Sequence, residues 1–389
     1  MSSKIKASPL LNRETGSFST NGTPLAVGPI NSAEALPVKN YRFTHFQGAE
    51  NLTGERMGET ILISRLTCNS CAVQCRRETA SLEKYGFRVE GPDYAQISSL
   101  GSNCLVNDLE SVAYMNYLCY ELGIDPIEAG NLMAMYAEAT EKGLLNANQR
   151  GLEWGDAGRM IELINLIANR REEGELLADG ADMLQNEIGD KDLSTAVKGI
   201  TIQNTDPRAE PAWGLLNATE NSGSSLHIWV YPDMIYSFGA IDGITLSVPG
   251  NRDDLDAIAE AVKTKQDFVA ALDSLQVCAF SSMAFEPDDY VDALNAATGW
   301  DWDAQVLRSI GERVFEIERA FNNRLGIGGE QDRLPAKFTS REIEDGINKG
   351  RICRLEPMLA RYYELRGWHD GIVVDSARLQ ARISQGRAA

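Results

Sequence analysis

The sequence predicts a mainly α protein built from two helical domains. Three observations lead there. Apolar residues recur at helical intervals between about 105 and 184 and again between about 252 and 366. Strict two-residue alternation is almost absent. The texture breaks near residue 197, where short β-like pieces and the turn run Asn204-Thr205-Asp206-Pro207-Arg208 interrupt the helical pattern. A chain of 389 residues also exceeds what one hydrophobic core usually serves. The expected domains are 1–197 and 198–389.

Taken in order, residues 1–60 are rich in Gly, Pro, Ser, Thr and Asn and read as turns with one or two short helices. A cysteine-rich loop follows at 68–75. Val89-Glu90-Gly91-Pro92-Asp93-Tyr94 reads as a Gly-Pro turn carrying two carboxylates. Ser102-Asn103 can cap a helix starting near Leu105, whose buried face holds Val112, Met115, Cys119 and Leu122 and which Gly123 ends. Further helices are expected from Pro126 to Glu141, from Gly155 to Arg170 with the stripe Met160, Leu163, Ile164 and Ile167, and from Leu176 to Leu184. Beyond the boundary the helical stretches are 252–265, 266–275, 287–297, 303–323 and 357–366. The longest lines up Val306, Ile310, Val314, Ile317 and Phe321. No internal repeat or low-complexity tract is present.

The formal charge of −19 argues against nucleic acid or anionic membrane as a broad partner, since both require a positive surface. It would also repel an acidic electron carrier unless a local basic patch exists. No apolar run approaches a membrane span, and Met1–Lys6 lacks the apolar core of a secretory signal, so a cytoplasmic protein is expected. Three histidines, His45, His227 and His369, exclude a histidine-rich metal site.

Seven cysteines are too few and too clustered for a disulfide framework, and their spacing points to metal. Cys68, Cys71 and Cys75 stand at i, i+3 and i+7, a spacing that can aim three sulfurs at one soft centre. A four-iron cluster needs a fourth thiolate. Cys104 and Cys119 read better as core residues. Cys353 and Cys278 remain; Cys278 follows the failing helix pattern Leu272–Val277 and reads either as a ligand on a helix-ending loop or as a core thiol between Val277 and Phe280. Zinc sites usually pair their cysteines two and two, so a compact triple with a distant fourth favours the iron–sulfur cluster. Enzymes that cleave adenosylmethionine place three residues before two, the opposite order.

This pattern resembles the aldehyde:ferredoxin oxidoreductase family of tungsten-pterin enzymes. Other stretches carry the same resemblance: Asn12–Thr23, Glu90-Gly91-Pro92-Asp93-Tyr94, Leu100–Cys104, Asp206-Pro207-Arg208, Gly311-Glu312-Arg313, Glu318–Asn322 and Tyr362–Trp368. They run in the family's order along nearly the whole chain. The resemblance implies two helical domains like the family's domains 2 and 3, with the N-terminal β-rich pterin domain expected to be absent. It implies a [4Fe-4S] cluster on Cys68, Cys71, Cys75 and Cys278 and one face of a tungsten (or molybdenum) bis-pterin. It further implies oxidation of an aldehyde to a carboxylic acid with ferredoxin as acceptor. A further subunit supplying the pterin domain and a homo-oligomer are both open. A cluster-binding module with no turnover of its own is the alternative.

The family's two pterin loops correspond to Tyr120–Asp125 and Asp273–Cys278 here, which implies pterin contacts from Gly123, Asp125, Asp273 and Val277. The first has Tyr120 in place of its leading Asp, and the second has Gln276 where Gly is usual. On the residues alone, Asp125 and Asp273 read as helix-terminus carboxylates. The implied catalytic groups are Asp93, with Glu90 as the alternative, and His227. A carboxylate could take a proton from water or hydrated aldehyde, and a neutral imidazole could polarise a carbonyl.

Overall fold

The structure is a computed structural model describing residues 2–203, 205–223 and 252–373. His227 lies outside the described residues. The described chain is mainly helical, as predicted, and forms two compact units. The first comprises Ser2–Ala209 and Pro335–Cys353, and the second Glu210–Leu334 with the chain from Arg354 onward. The texture change near 197 is a two-residue-per-strand hairpin, β4 (Ala196–Val197) and β5 (Ile200–Thr201), within the first unit.

The first unit opens with four short helices, α1 (Ser2–Ala7), α2 (Ser17–Asn21), α3 (Val27–Ser32) and α4 (Gly54–Thr60). A three-stranded antiparallel sheet follows: β1 (Leu62–Leu66), β2 (Arg76–Ser81) and β3 (Phe87–Glu90), in that spatial order. Leu66 pairs with Arg76, so residues 67–75 form the connection of a hairpin. Then come α5 (Tyr94–Leu100), α6 (Leu109–Leu122), α7 (Pro126–Glu141), α8 (Ala157–Asn169), α9 (Glu173–Leu177) and α10 (Ala181–Ile188). Helix α5 packs on α7, α6 packs on α8 and on the sheet, and α8 packs on α9. Phe18, Phe87, Leu100, Val112, Met115, Met133, Leu163 and Ile164 fill the core.

Several expected boundaries shift for identifiable reasons. Helix α6 does not start near Leu105, because Leu105 stands at φ 59; Asp108 caps the helix instead. The helix expected over Leu176–Leu184 is two helices broken at 178–180. The Asp206-Pro207-Arg208 corner is held by a buried ion pair, Arg208 Nη2 to Asp206 Oδ2 at 2.7 Å, with Arg208 also donating to the Tyr41 carbonyl. The short α15 (Ala336–Thr339) brings Lys337 into the same unit, where its ammonium donates to the carbonyls of Asn40 and Leu193.

The second unit contains α11 (Pro211–Thr219), α12 (Leu255–Ser274), α13 (Pro287–Thr298), α14 (Ala304–Arg324) and α16 (Leu355–Arg366). The stretches 252–265 and 266–275 are one helix. Gln266 at the expected break is buried and bonded to Thr219, Tyr362 and Arg366. Helices α12 and α14 cross closely at Gly311, where an added Cβ would sit 1.7 Å from the Asp267 carbonyl oxygen. That contact sets the buried face of α14. Leu307, Gly311, Phe315 and Arg319 point inward, whereas Ile317 and Phe321 are 42% and 63% exposed. The expected apolar stripe therefore lies beside the buried one. Polar burial explains the offset: Arg319 pairs with Asp332, and Arg366 with Asp267, all four side chains fully buried.

Candidate metal and cofactor site

The hairpin connection between β1 and β2 presents the thiol triple. Cys71 N donates to Cys68 O at 3.1 Å, and Ser70 sits at φ 59, which turns the chain tightly. Thr67 Oγ1 lies 2.7 Å from Val73 O and 3.0 Å from Cys71 O and pins the loop's neck. Cys68 is exposed, and Cys71 and Cys75 are half-buried. Val73 N–H donates to Cys71 Sγ at 3.4 Å, the contact that stabilises negative sulfur.

Two guanidinium groups flank this loop, and sequence reasoning missed both. Arg76 forks onto Glu90 with two hydrogen bonds, which hold its proton above the ordinary arginine value; Cys68 adds to that. Arg77 is buried at 1% exposure and donates to the carbonyls of Gln74, Phe18 and Ser19. Burial pulls its pKa down to about 10, opposed by Cys75. Gly22 packs directly on Arg77 and on the Cys75 carbonyl, with no room for a Cβ. The signal in the sequence was the pair Arg76-Arg77 placed directly after the third cysteine. A buried arginine on a polar strand does not register as an alternating pattern.

Glu90 and Asp93 lie on either side of the Gly91–Pro92 bond, which is cis. Glu90 ends β3 and is committed to Arg76. Asp93 is the N-cap of α5. Gln96 Oε1 accepts its N–H at 3.0 Å, the return half of a capping box, and Thr23 Oγ1 donates to Asp93 Oδ1 at 2.7 Å. Burial raises the Asp93 pKa, partly offset by the Thr23 bond, and the nearby Glu90 charge raises it further. The Tyr120 phenol, raised first by burial and then by Asp93 and Glu90, lies 3.4 Å from Gln96 Nε2.

The two helix-ending loops share one local design. After α6, Gly123 takes φ 69 and Ile124 N reaches back to Cys119 O at 2.8 Å. After α12, Gln276 takes φ 56 and Val277 N reaches back to Leu272 O at 3.0 Å. Each is a Schellman-type stop. Asp125 and Cys278 then occupy matching places, two residues past the left-handed position. Asp125 Oδ1 accepts from Ile127 N at 2.8 Å and caps α7. Cys278 is exposed and starts a short 3-10 turn, Ala279–Met283. Asp273, in the last turn of α12, is exposed and lines a cleft of about 890 Å³ in the second unit with Asn221, Gln266, Ile317, Glu318 and Phe321.

The remaining thiols are core residues. Cys104, Cys119 and Cys353 are buried, and burial raises all three thiols, Cys119 to about 12. Cys104 Sγ also donates to the Ser99 and Gly130 carbonyls. Cys68, Cys71 and Cys75 share one loop of the first unit, and Cys278 belongs to the second unit. Among the described residues, no three His, Cys, Asp or Glu side chains stand close enough to ligate one ion as they are placed. No helix among the described residues is long and apolar enough to cross a membrane.

The family model described as aldehyde ferredoxin oxidoreductase, domains 2 and 3, matches residues 1–380. The chain belongs to this family. It is similar to the tungsten-containing aldehyde ferredoxin oxidoreductase of Pyrococcus furiosus, 34% identical over 94% of this chain and 60% of the relative. The enzyme of the same name from Thermococcus kodakarensis is 35% identical over 91% of this chain and 58% of the relative. A more distant relative at 26% identity is an aliphatic sulfonate oxidoreductase, WOR-like subunit, of P. furiosus. The chain thus spans about three-fifths of the length of these oxidoreductase relatives. In fold it matches a chain of the active site complex BamBC of benzoyl coenzyme A reductase, with TM-score 0.71, 19% identity, and coverage of 97% of this chain and 63% of that one.

Set against the groups this oxidoreductase family implies, the residues fit in chemical kind, although the three thiols of the loop do not converge on one point as placed. Three accessible or half-accessible thiols, an N–H aimed at one sulfur and two flanking guanidinium groups form a setting for thiolates that carry net negative charge. Gly123 exposes backbone with no side chain in the way, as close approach to a large ligand requires. Gln276 keeps the left-handed backbone of a glycine position but carries a side chain there.

Proposed function

We propose that this chain is the cluster-bearing part of an oxidoreductase that converts aldehydes to carboxylic acids and delivers the electrons to ferredoxin. The observation that carries the reading is the thiol triple on its hairpin loop, flanked by Arg76 and Arg77, in a chain of this family. Cys68, Cys71 and Cys75 would hold a [4Fe-4S] cluster, with Cys278 as the fourth ligand. Gly123, Asp125, Asp273 and Val277 would line one face of a tungsten or molybdenum bis-pterin. When bound, these groups supply the two-electron oxidation and its one-electron relay. The chain's own residues hold them and manage protons. Oxidation of a hydrated aldehyde releases two electrons and two protons. Asp93 suits a proton-taking role better than Glu90, because burial raises its proton affinity while Glu90 is tied to Arg76. His227 would polarise the substrate carbonyl. The protein is expected in the cytoplasm, and association with a further subunit, or with a second copy of itself, belongs to the same reading.

A second reading, a cluster-binding module without turnover of its own, is favoured by one observation: Gln276 places a side chain where a ligand-facing loop would use glycine. Anaerobic purification followed by iron, sulfide and tungsten analysis separates the two. Tungsten together with iron and aldehyde-dependent dye reduction is the expected outcome. Cluster without pterin metal, even after co-expression with neighbouring genes, would leave the second reading standing.

A further inference from the structure

Charge along this chain is segregated around the thiol loop. Residues 1–90 carry 11 Lys and Arg against 8 Asp and Glu, whereas the remaining residues carry 26 against 48. Part of that positive charge is neutralised in place: Lys84 pairs with Asp108, Arg88 with Glu78 and Arg56 with Glu59. Lys6, Arg13 and Arg65 have no carboxylate partner among the described residues. Their chain segments lie near one another. Arg65 Nη1 is 3.5 Å from the Arg13 carbonyl, and Asn12 Nδ2 donates to the Lys6 carbonyl at 2.5 Å. Arg65 sits on β1 across from Arg77, one strand position from the start of the thiol loop. Lys6 and Arg13 are exposed, and Ile63, two residues before Arg65 on this edge strand, is 51% exposed. Glu14 is the exposed carboxylate of the same stretch.

We infer that Lys6, Arg13 and Arg65, with Ile63 as an apolar contact, form the docking face for a small acidic electron-carrier protein. The inference rests on the reading of Cys68, Cys71 and Cys75 as cluster ligands and names where the electrons leave. A protein of net charge −19 repels an acidic carrier over most of its surface. An unpaired cationic group beside the exposed end of the thiol loop reverses that repulsion where electron transfer requires close approach. Such a face favours fast, short-lived encounter over tight binding, and salt screens it strongly.

The test is equilibrium binding of the anaerobically purified full chain to a purified ferredoxin with a strongly acidic surface, from about 20 to 200 mM salt. Iron and sulfide are assayed on the same preparations. Wild-type affinity is expected to fall roughly tenfold or more across that range. The double variant Arg13→Glu/Arg65→Glu is expected to bind about tenfold more weakly at low salt. Lys191→Glu, an exposed lysine on a different element, is expected to stay within about twofold of wild type. Amidating the carboxylates of the ferredoxin should abolish the salt dependence. Cluster-loaded protein that binds independently of salt, or equal weakening by the double variant and Lys191→Glu, would overturn the docking face alone. Wild-type protein without iron would overturn the reading beneath it.

Discussion

Replacing Asp93 by asparagine and by alanine separates a structural role from a chemical one. Asp93 caps α5 and accepts from Thr23 at 2.7 Å. Asparagine caps a helix about as well as aspartate, so below about pH 4, where the Asp93 carboxyl holds its proton, Asp93→Asn should change stability by no more than about 0.5 kcal/mol. Alanine loses the cap, about 1 kcal/mol, and the acceptor for the Thr23 hydroxyl, about 1 to 2 kcal/mol more. Asp93→Ala should therefore lose about 2 to 3 kcal/mol. The two variants also differ from wild type in pH dependence. Burial raises the folded-state pKa of Asp93 above its ordinary value of 3.8, so the folded state binds more protons between those two values. Wild-type stability falls as pH rises through that window, and the penalty is complete above the folded pKa. Asp93→Asn removes the penalty, so its stability relative to wild type should improve from about pH 4 upward. Urea unfolding followed by circular dichroism at several pH values measures both effects. Aldehyde-dependent dye reduction by cofactor-loaded protein measures the chemistry, where Asp93→Asn should lose about 100-fold or more in kcat. Full turnover in Asp93→Asn would refute the proton-taking role and leave a helix cap.

Two further substitutions probe the scaffold. Gly311→Ala would place a Cβ 1.7 Å from the Asp267 carbonyl oxygen and drive α12 from α14. Overpacking of about 3 kcal/mol, less about 1 kcal/mol of helix propensity gained, predicts a net loss of about 2 kcal/mol by thermal or chemical unfolding. Gly58→Ala on α4, with nothing within 4 Å of the new methyl, should instead gain a few tenths to about 1 kcal/mol, and equal behaviour of the two would contradict the close crossing. Gln276→Gly relieves a left-handed residue at φ 56 and should raise stability by about 1 kcal/mol. A lowered melting temperature in that variant would show that the Gln276 side chain makes a contact worth more than the strain.

Where apolar spacing, caps and stops agreed, the helices were legible. Helix α7 runs from Pro126 to Glu141 as predicted, and the stripe Met160, Leu163, Ile164 and Ile167 is buried on α8. Legibility failed where polar residues do the packing. Strand β2 buries Arg77, Thr79 and Ser81, which no hydrophobic pattern marks, so the sheet that holds the thiol loop went unseen. Helix α14 buries Glu316 and pairs its buried Arg319 with Asp332, so its buried face lies beside the apolar stripe expected from the sequence. At the site, cysteine spacing singled out the thiol loop. The capping box Asp93–Gln96 is local and was passed over, whereas the burial of Arg77 and the Thr23 bond to Asp93 depend on contacts between segments far apart in sequence that no local window contains.

The central claim is that Cys68, Cys71, Cys75 and Cys278 hold one iron–sulfur cluster. Iron and acid-labile sulfide per chain, with electron paramagnetic resonance of the dithionite-reduced protein, test it most directly on wild type, Cys278→Ser and Cys353→Ser prepared anaerobically. The account predicts about four irons and four sulfides with a reduced-cluster signal in wild type and in Cys353→Ser, and loss or severe depletion of both in Cys278→Ser. One zinc per chain without iron, or equal retention of the cluster in the two serine variants, would contradict it.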